Sequence, residues 1–165
     1  MFQEVQEIIN QVRKVVVGKD VVIGSILMAM LAQGHVLLED VPGVGKTTMA
    51  LAFSRAMDLS YKRMQFTPDV MPSDITGYTT LQTGGAAGVY VPGAAMCNLF
   101  LADEINRASS KTQSALLEVM EENSITVDGV THPVPQPYLV IATQNPAGSS
   151  GTQPLPESQL DRFMV

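Results

Sequence analysis

Residues 35–56, HVLLEDVPGVGKTTMALAFSRA, constrain this chain more than any other stretch. A short apolar run passes through a glycine turn into a segment of good helix formers, which predicts strand, turn and helix in succession. A helix entered this way leaves its first N–H groups unpaired and pointing back at the turn. Gly43 and Gly45 strip side chains from that turn, so backbone donors and the helix dipole converge where a polyphosphate can approach. Gly43, Val44, Gly45, Lys46, Thr47 and Thr48 are therefore the candidate nucleotide-binding residues. Lys46 would neutralise the β- and γ-phosphates, and the Thr47 hydroxyl would hold Mg2+. Asp40 stands where the pattern GxxxxGK[ST] calls for its first glycine. That position lies at the strand end, before the stretch that wraps the phosphates, so an acid there should face away from them.

Alternation continues along the chain. Phe2, Val5, Ile8, Ile9 and Val12 recur at helical spacing, VVVGKD interrupts, and Asp20 can cap a helix over 21–33. The segment VVIGSILMAMLA within it reads as a buried helix. YKRMQFT, NLFLADE and YLVIATQNP read as further strands, SKTQSALLEVMEE as a helix capped by Ser109, and PESQLDRF as a short helix with Pro156 near its start. Strands alternating with helices predict an α/β fold with a parallel sheet and helices on both faces. Two hairpins interrupt the pattern: YTTLQT and GVYV around GGAA, and NSITVDGVTHPVPQP with Asp128-Gly129 at its turn. The last letters, FMV, stand where one more strand would begin.

Two of the strands end in groups that suit a polyphosphate. NLFLADE delivers Asp103 to the carboxyl edge of the sheet, where ligands of open α/β sheets bind. Asp103 would bind Mg2+ through its water shell, and Glu104 could orient and deprotonate an attacking water. VIATQNP ends in Asn145, an amide able to position that water or touch the γ-phosphate, although Asn-Pro also starts turns. Arg162 has two readings: a surface arginine, or an arginine finger that offsets transition-state charge in a neighbouring subunit.

Composition narrows the partners. Ten Lys+Arg against sixteen Asp+Glu give a net charge of −6, which argues against nucleic acid as the main ligand. The single cysteine, Cys97, cannot form an internal disulfide and points to a reducing, cytoplasmic home. The most apolar run spans about twelve residues, short of the roughly twenty that cross a bilayer, so no membrane partner is expected. His35 and His132 stand apart with no cysteine partner and do not read as a zinc site.

PGVGKT, LADEINR, VIATQNP and LPESQLDRF, in this order, resemble the AAA+ ATPases, and QFTPDVMPSDITGY with KTQSALLEVMEE resembles the MoxR family within them. The resemblance implies a P-loop NTPase fold of three layers carrying two inserted β-hairpins, with ATP and Mg2+ as cofactors. It implies that Val17 and Gly18 contact the adenine, that Asn145 is sensor 1, and that Arg162 is the arginine finger, with Arg107 a second inter-subunit candidate. Residues 1–165 would then form one nucleotide-binding core, with a final strand and a helical lid missing and turnover by this stretch weak. A hexameric homo-oligomeric ring is implied, acting as a chaperone-like motor with a von Willebrand A domain protein. It would remodel or mature protein clients, including by metal-cofactor insertion. A DNA-translocating motor of MCM-like type shares both hairpins, but here neither contains the Lys or Arg that would grip phosphates. A nucleotide-binding scaffold without hydrolysis is the third reading, and Glu104 stands against it.

Overall fold

A computed structural model describes residues 2–39, 45–81, 88–144, 152 and 155–164. Two helices come first, α1 (Phe2–Arg13) and α2 (Asp20–Leu31), then β1 (Val36–Glu39) and α3 (Lys46–Ala56). Next are β2 (Tyr61–Gln65), α4 (Pro72–Thr76), β3 (Gly77–Thr80), β4 (Val89–Pro92) and β5 (Leu99–Asp103). A 3-10 turn over Ile105–Arg107 leads to α5 (Ser110–Glu122), β6 (Ser124–Val127), β7 (Val130–Pro133), β8 (Leu139–Gln144) and α6 (Glu157–Leu160).

Four strands make the central parallel sheet in the order β1-β8-β5-β2. Strand residues alternate between its faces. Leu99, Leu101, Leu139 and Ile141 point into the layer of α1, α2 and α3, where Ile23, Ile26, Met49 and Phe53 fill the core. Phe100, Ala102, Val140 and Ala142 point the other way, onto Leu116, Val119 and Met120 of α5. This is the expected α/β architecture with helices on both faces. Beyond β1, Phe163 bridges His35 in parallel and the Met164 N–H donates to the His35 carbonyl at 2.8 Å. Phe163 and Met164 thus lie alongside β1 as a further parallel strand would.

Both hairpins form. β3 pairs antiparallel with β4, and β6 with β7, whose turn places Asp128 and Gly129 at φ 50° and 77°. The left-handed pair is what the Asp-Gly signal predicts. The hairpins meet through Tyr90 and His132, whose rings stack with centroids 3.9 Å apart. Tyr90 is therefore held inside the domain, while Tyr78, Leu81 and Val89 are exposed.

Two local expectations are corrected. α2 is buried on one side only: Val21, Met28 and Leu31 are 83%, 63% and 62% exposed. An all-apolar run carries no period to say which side faces the core. Asp20 does not cap α2; it is the first helical residue, behind Lys19, and its carboxylate accepts from Arg13 Nε at 2.8 Å. The Ser109 cap does form, its hydroxyl accepting from the Thr112 N–H at 3.3 Å. Cys97 is buried with its thiol donating to the Leu99 carbonyl, and burial pushes its pKa up to about 11, which makes it a packed residue and no nucleophile. Among the described residues no helix is long and apolar enough to cross a membrane.

Candidate nucleotide site

Parallel strands bring their carboxyl ends to one edge of the sheet, and the chemistry of this chain collects there. β2 and β5 are in register from Tyr61↔Leu99 to Gln65↔Asp103, and the Phe66 N–H closes the end of the pair on the Asp103 carbonyl at 2.8 Å. Asp103 is held from two sides. Arg63 Nη2 donates to its Oδ2 at 2.7 Å, and Thr143 Oγ1 donates to its Oδ1 at 2.6 Å. Burial pushes the Asp103 carboxyl up. The Thr143 hydroxyl, the Arg63 guanidinium and the charge of Lys46 together pull it further down, so it lies below the ordinary carboxylate value.

Lys46, whose charge favours the ionised Asp103, opens α3 behind the glycine turn. Gly45 precedes it with φ 70° and ψ 28°, a left-handed conformation natural to glycine. A Cβ added there meets no atom within 4 Å, so the space above the turn is open. Thr47 and Thr48 follow, both exposed on the first turn of α3. Gly43, Val44 and Asp40 lie outside the described residues, as does Asn145.

Glu104 follows Asp103 at φ 57° and ψ 48°, a left-handed conformation that costs a non-glycine residue about 1–2 kcal/mol. Its N–H donates to Thr143 Oγ1 at 2.9 Å, and its carboxylate accepts from Arg107 Nη1 at 3.2 Å. Arg107, considered above as an inter-subunit residue, thus engages the acid of its own chain. At the start of α2, Gly18 sits at φ 74°, Val17 is 84% exposed, and the Arg13–Asp20 ion pair closes the loop that carries them.

Arg162 is elsewhere. It forms an ion pair with Glu121 in the last turn of α5, and its neighbour Phe163 bridges His35 just before β1. Since α5 runs back from the end of β5, both contacts lie at the amino edge of the sheet. The opposite edge carries Asp103 and Glu104.

Two residues of the site were invisible to sequence reasoning. Arg63 and Thr143 each hold Asp103 from 40 positions away along the chain. Both contacts depend on which strands flank β5, which no spacing encodes. A cation opening the phosphate helix, a hydroxyl beside it, an open glycine turn and an ionised carboxylate at the carboxyl end of β5 form a donor set that fits a magnesium-bound nucleotide.

The model of the ATPase family associated with various cellular activities (AAA) matches residues 35–165. The chain is 47% identical over 156 residues to Chaperone MoxR1 of Mycobacterium tuberculosis, covering 94% of this chain and 41% of that protein. The chain belongs to the AAA ATPase family, in its MoxR branch. Protein YeaC of Bacillus subtilis, a family relative with no function in its name, is 55% identical over 157 residues, covering 94% of this chain and 49% of its own. A crystal structure of a provisionally assigned ATPase from Cytophaga hutchinsonii superimposes with a TM-score of 0.87 at 44% identity, over 99% of this chain and 49% of that one. The chain thus spans about half the length of the relatives it matches.

Proposed function

We propose that this chain is the ATP-hydrolysing core of a longer, ring-forming MoxR-type motor that converts ATP and water to ADP and phosphate. The observation that carries the reading is the Asp103 carboxylate at the carboxyl end of β5, held by Arg63 and Thr143, in a chain where Lys46 opens α3 directly behind a left-handed glycine turn. Gly43, Val44, Gly45, Lys46 and Thr48 bind the phosphates, and Val17 with Gly18 bounds the adenine. Thr47 and Asp103 would hold Mg2+, and the ion would neutralise charge on the phosphate oxygens. Glu104 accepts the proton of the attacking water, and Asn145 orients that water against the γ-phosphate.

Arg162 acts in trans. Its ion pair with Glu121 and the Phe163–His35 bridge beside it, at the amino edge of the sheet, support this reading. The nucleotide it serves belongs to a neighbour in a homo-oligomeric ring, here a hexamer.

The output is chaperone-like work on protein clients, including metal-cofactor insertion, with a von Willebrand A domain protein as accessory partner. The name of MoxR1 supports the chaperone part. Neither nucleic acid nor membrane is a partner, and the protein works in the cytoplasm. A final strand and a lid beyond residue 165 complete the nucleotide site, and turnover by 1–165 alone is weak.

The test is steady-state phosphate release by the full-length protein, with Glu104→Gln beside it. Wild type should hydrolyse MgATP, and Glu104→Gln should bind it with hydrolysis reduced at least about a hundredfold. If both bind ATP and neither hydrolyses it, the chain is a scaffold and the motor reading fails.

A further inference from the structure

Thr143 is fully buried on β8, in a run whose preceding residues Val140, Ile141 and Ala142 are apolar and buried as well. A hydroxyl in such a place costs free energy unless both its donor and its acceptor capacity are used. Here both are used, and their direction follows from chemistry. The Glu104 N–H can only donate, so Oγ1 accepts it at 2.9 Å. The hydroxyl hydrogen is then left for Asp103 Oδ1, at 2.6 Å. One oxygen thereby ties the side chain of the first acid to the backbone of the second.

The second acid needs such a tie. A non-glycine residue persists in the left-handed region only where its surroundings over-determine it. For Glu104 these are the Thr143 hydroxyl on its N–H, the Arg107 N–H on its carbonyl at 3.0 Å, and the Arg107 guanidinium on its carboxylate. Without the hydroxyl, the backbone can relax to an ordinary conformation, and the Cα–Cβ bond swings away with the carboxylate it carries.

We propose that Thr143 is a positioning residue for hydrolysis: its hydroxyl clips the Asp103 carboxylate to the Glu104 N–H and so fixes where the Glu104 carboxylate points. This rests on the ATPase reading and deepens it. Thr143 is fully buried with its hydroxyl engaged by the two acids, so it acts through Glu104. Displacing a reacting group by about 1 Å costs on the order of a hundredfold in rate, so the effect belongs in kcat.

The experiment compares wild type, Thr143→Val, Thr143→Ser and Glu104→Gln in the full-length protein. Valine keeps the shape and removes the hydroxyl; serine keeps the hydroxyl. Thr143→Val should lower kcat about ten- to a hundredfold with KM for MgATP within about twofold, and Thr143→Ser should recover at least about a third of wild-type kcat. Amide hydrogen exchange supplies a readout independent of turnover. In nucleotide-free protein the Glu104 N–H should exchange at least about tenfold more slowly in wild type than in Thr143→Val. Turnover by Thr143→Val within twofold of wild type overturns the proposal. So does equal exchange at Glu104 in the two proteins, even if the valine variant is too unstable to assay. When Glu104→Gln is inactive and Thr143→Val is not, only the clip fails. When wild type itself does not hydrolyse ATP, the ATPase reading fails and takes the clip with it.

Discussion

His35 should hold the amino edge of the sheet together, and replacing it with phenylalanine isolates the reason. The imidazole is 4% exposed and makes two hydrogen bonds. Its Nδ1 accepts from the Val140 N–H at 3.0 Å, and its Nε2–H donates to the Met120 carbonyl at 3.1 Å. Neither backbone group has an obvious alternative. β1 pairs with β8 only from Val36↔Ile141 onward, so the ring continues the ladder one residue beyond its end. Met120 lies among the last four residues of α5 before its cap at Asn123, where carbonyls have no helical partner. Phenylalanine preserves the ring and its edge contact with Tyr138 but strands both groups. At about 1–2 kcal/mol for each, His35→Phe should cost about 2–4 kcal/mol.

The same geometry dictates a pH dependence. A ring whose Nδ1 accepts a hydrogen bond must stay neutral, and burial, against a small opposing effect of the Met120 bond, holds the His35 pKa below its ordinary value of 6.5. The unfolded chain takes up that proton near 6.5, whereas the folded chain does so only at lower pH. Wild type therefore has the full contribution above 6.5 and loses it as pH falls below that value, by at most ~1.4 kcal/mol per pH unit. His35→Phe has no such proton to bind, so the gap between the proteins should narrow from pH 7.5 to pH 5.5. Urea unfolding followed by far-UV circular dichroism measures it, since the chain has no tryptophan to report by fluorescence. A gap below about 1 kcal/mol at pH 7.5, or one that stays constant with pH, would refute the reasoning.

Two further outcomes follow from the site. Gly45→Ala should cost only about 1 kcal/mol of stability, for the left-handed backbone alone, since its Cβ meets nothing within 4 Å. Binding of a fluorescent ATP analogue should weaken at least about tenfold, because that open space is where phosphates would approach; unchanged affinity would make the turn merely structural. Arg63→Met should raise the Asp103 carboxyl from its depressed value. Asp103 contributes stability above its unfolded pKa and loses it as pH falls through the folded one, so the stability gap between wild type and Arg63→Met should shrink from pH 6 to pH 3 in urea titrations.

The strands and helices were legible because each follows a local rule. β1, β5 and β8 are short apolar runs ending in polar or acidic residues, Asp128-Gly129 dictates its hairpin turn, and Ser109 sits three residues before the N–H it caps. α2 was misjudged where that rule gives out, because Val21, Met28 and Leu31 have the hydropathy of a core and the exposure of a surface. Asp20 shows the complementary failure: it has the right chemistry for a cap, but Arg13, seven residues earlier, already holds its carboxylate.

The site divides along the same line. Lys46, Thr47, Asp103 and Glu104 could be proposed from sequence because phosphate chemistry expects such groups at fixed offsets from the ends of their strands. Arg63 and Thr143 could not, because their contacts with Asp103 are set by adjacency in the sheet. β5 lies between β2 and β8, so residues from both neighbours reach Asp103. A carboxylate held this way presents one charge in one place before any ligand arrives, which is what electrostatic preorganisation requires. Motifs therefore reveal which groups would do the chemistry, whereas the strand order determines which groups aim them. A second chain could keep every letter of PGVGKT and LADEINR and still lose this arrangement through one substitution at Thr143.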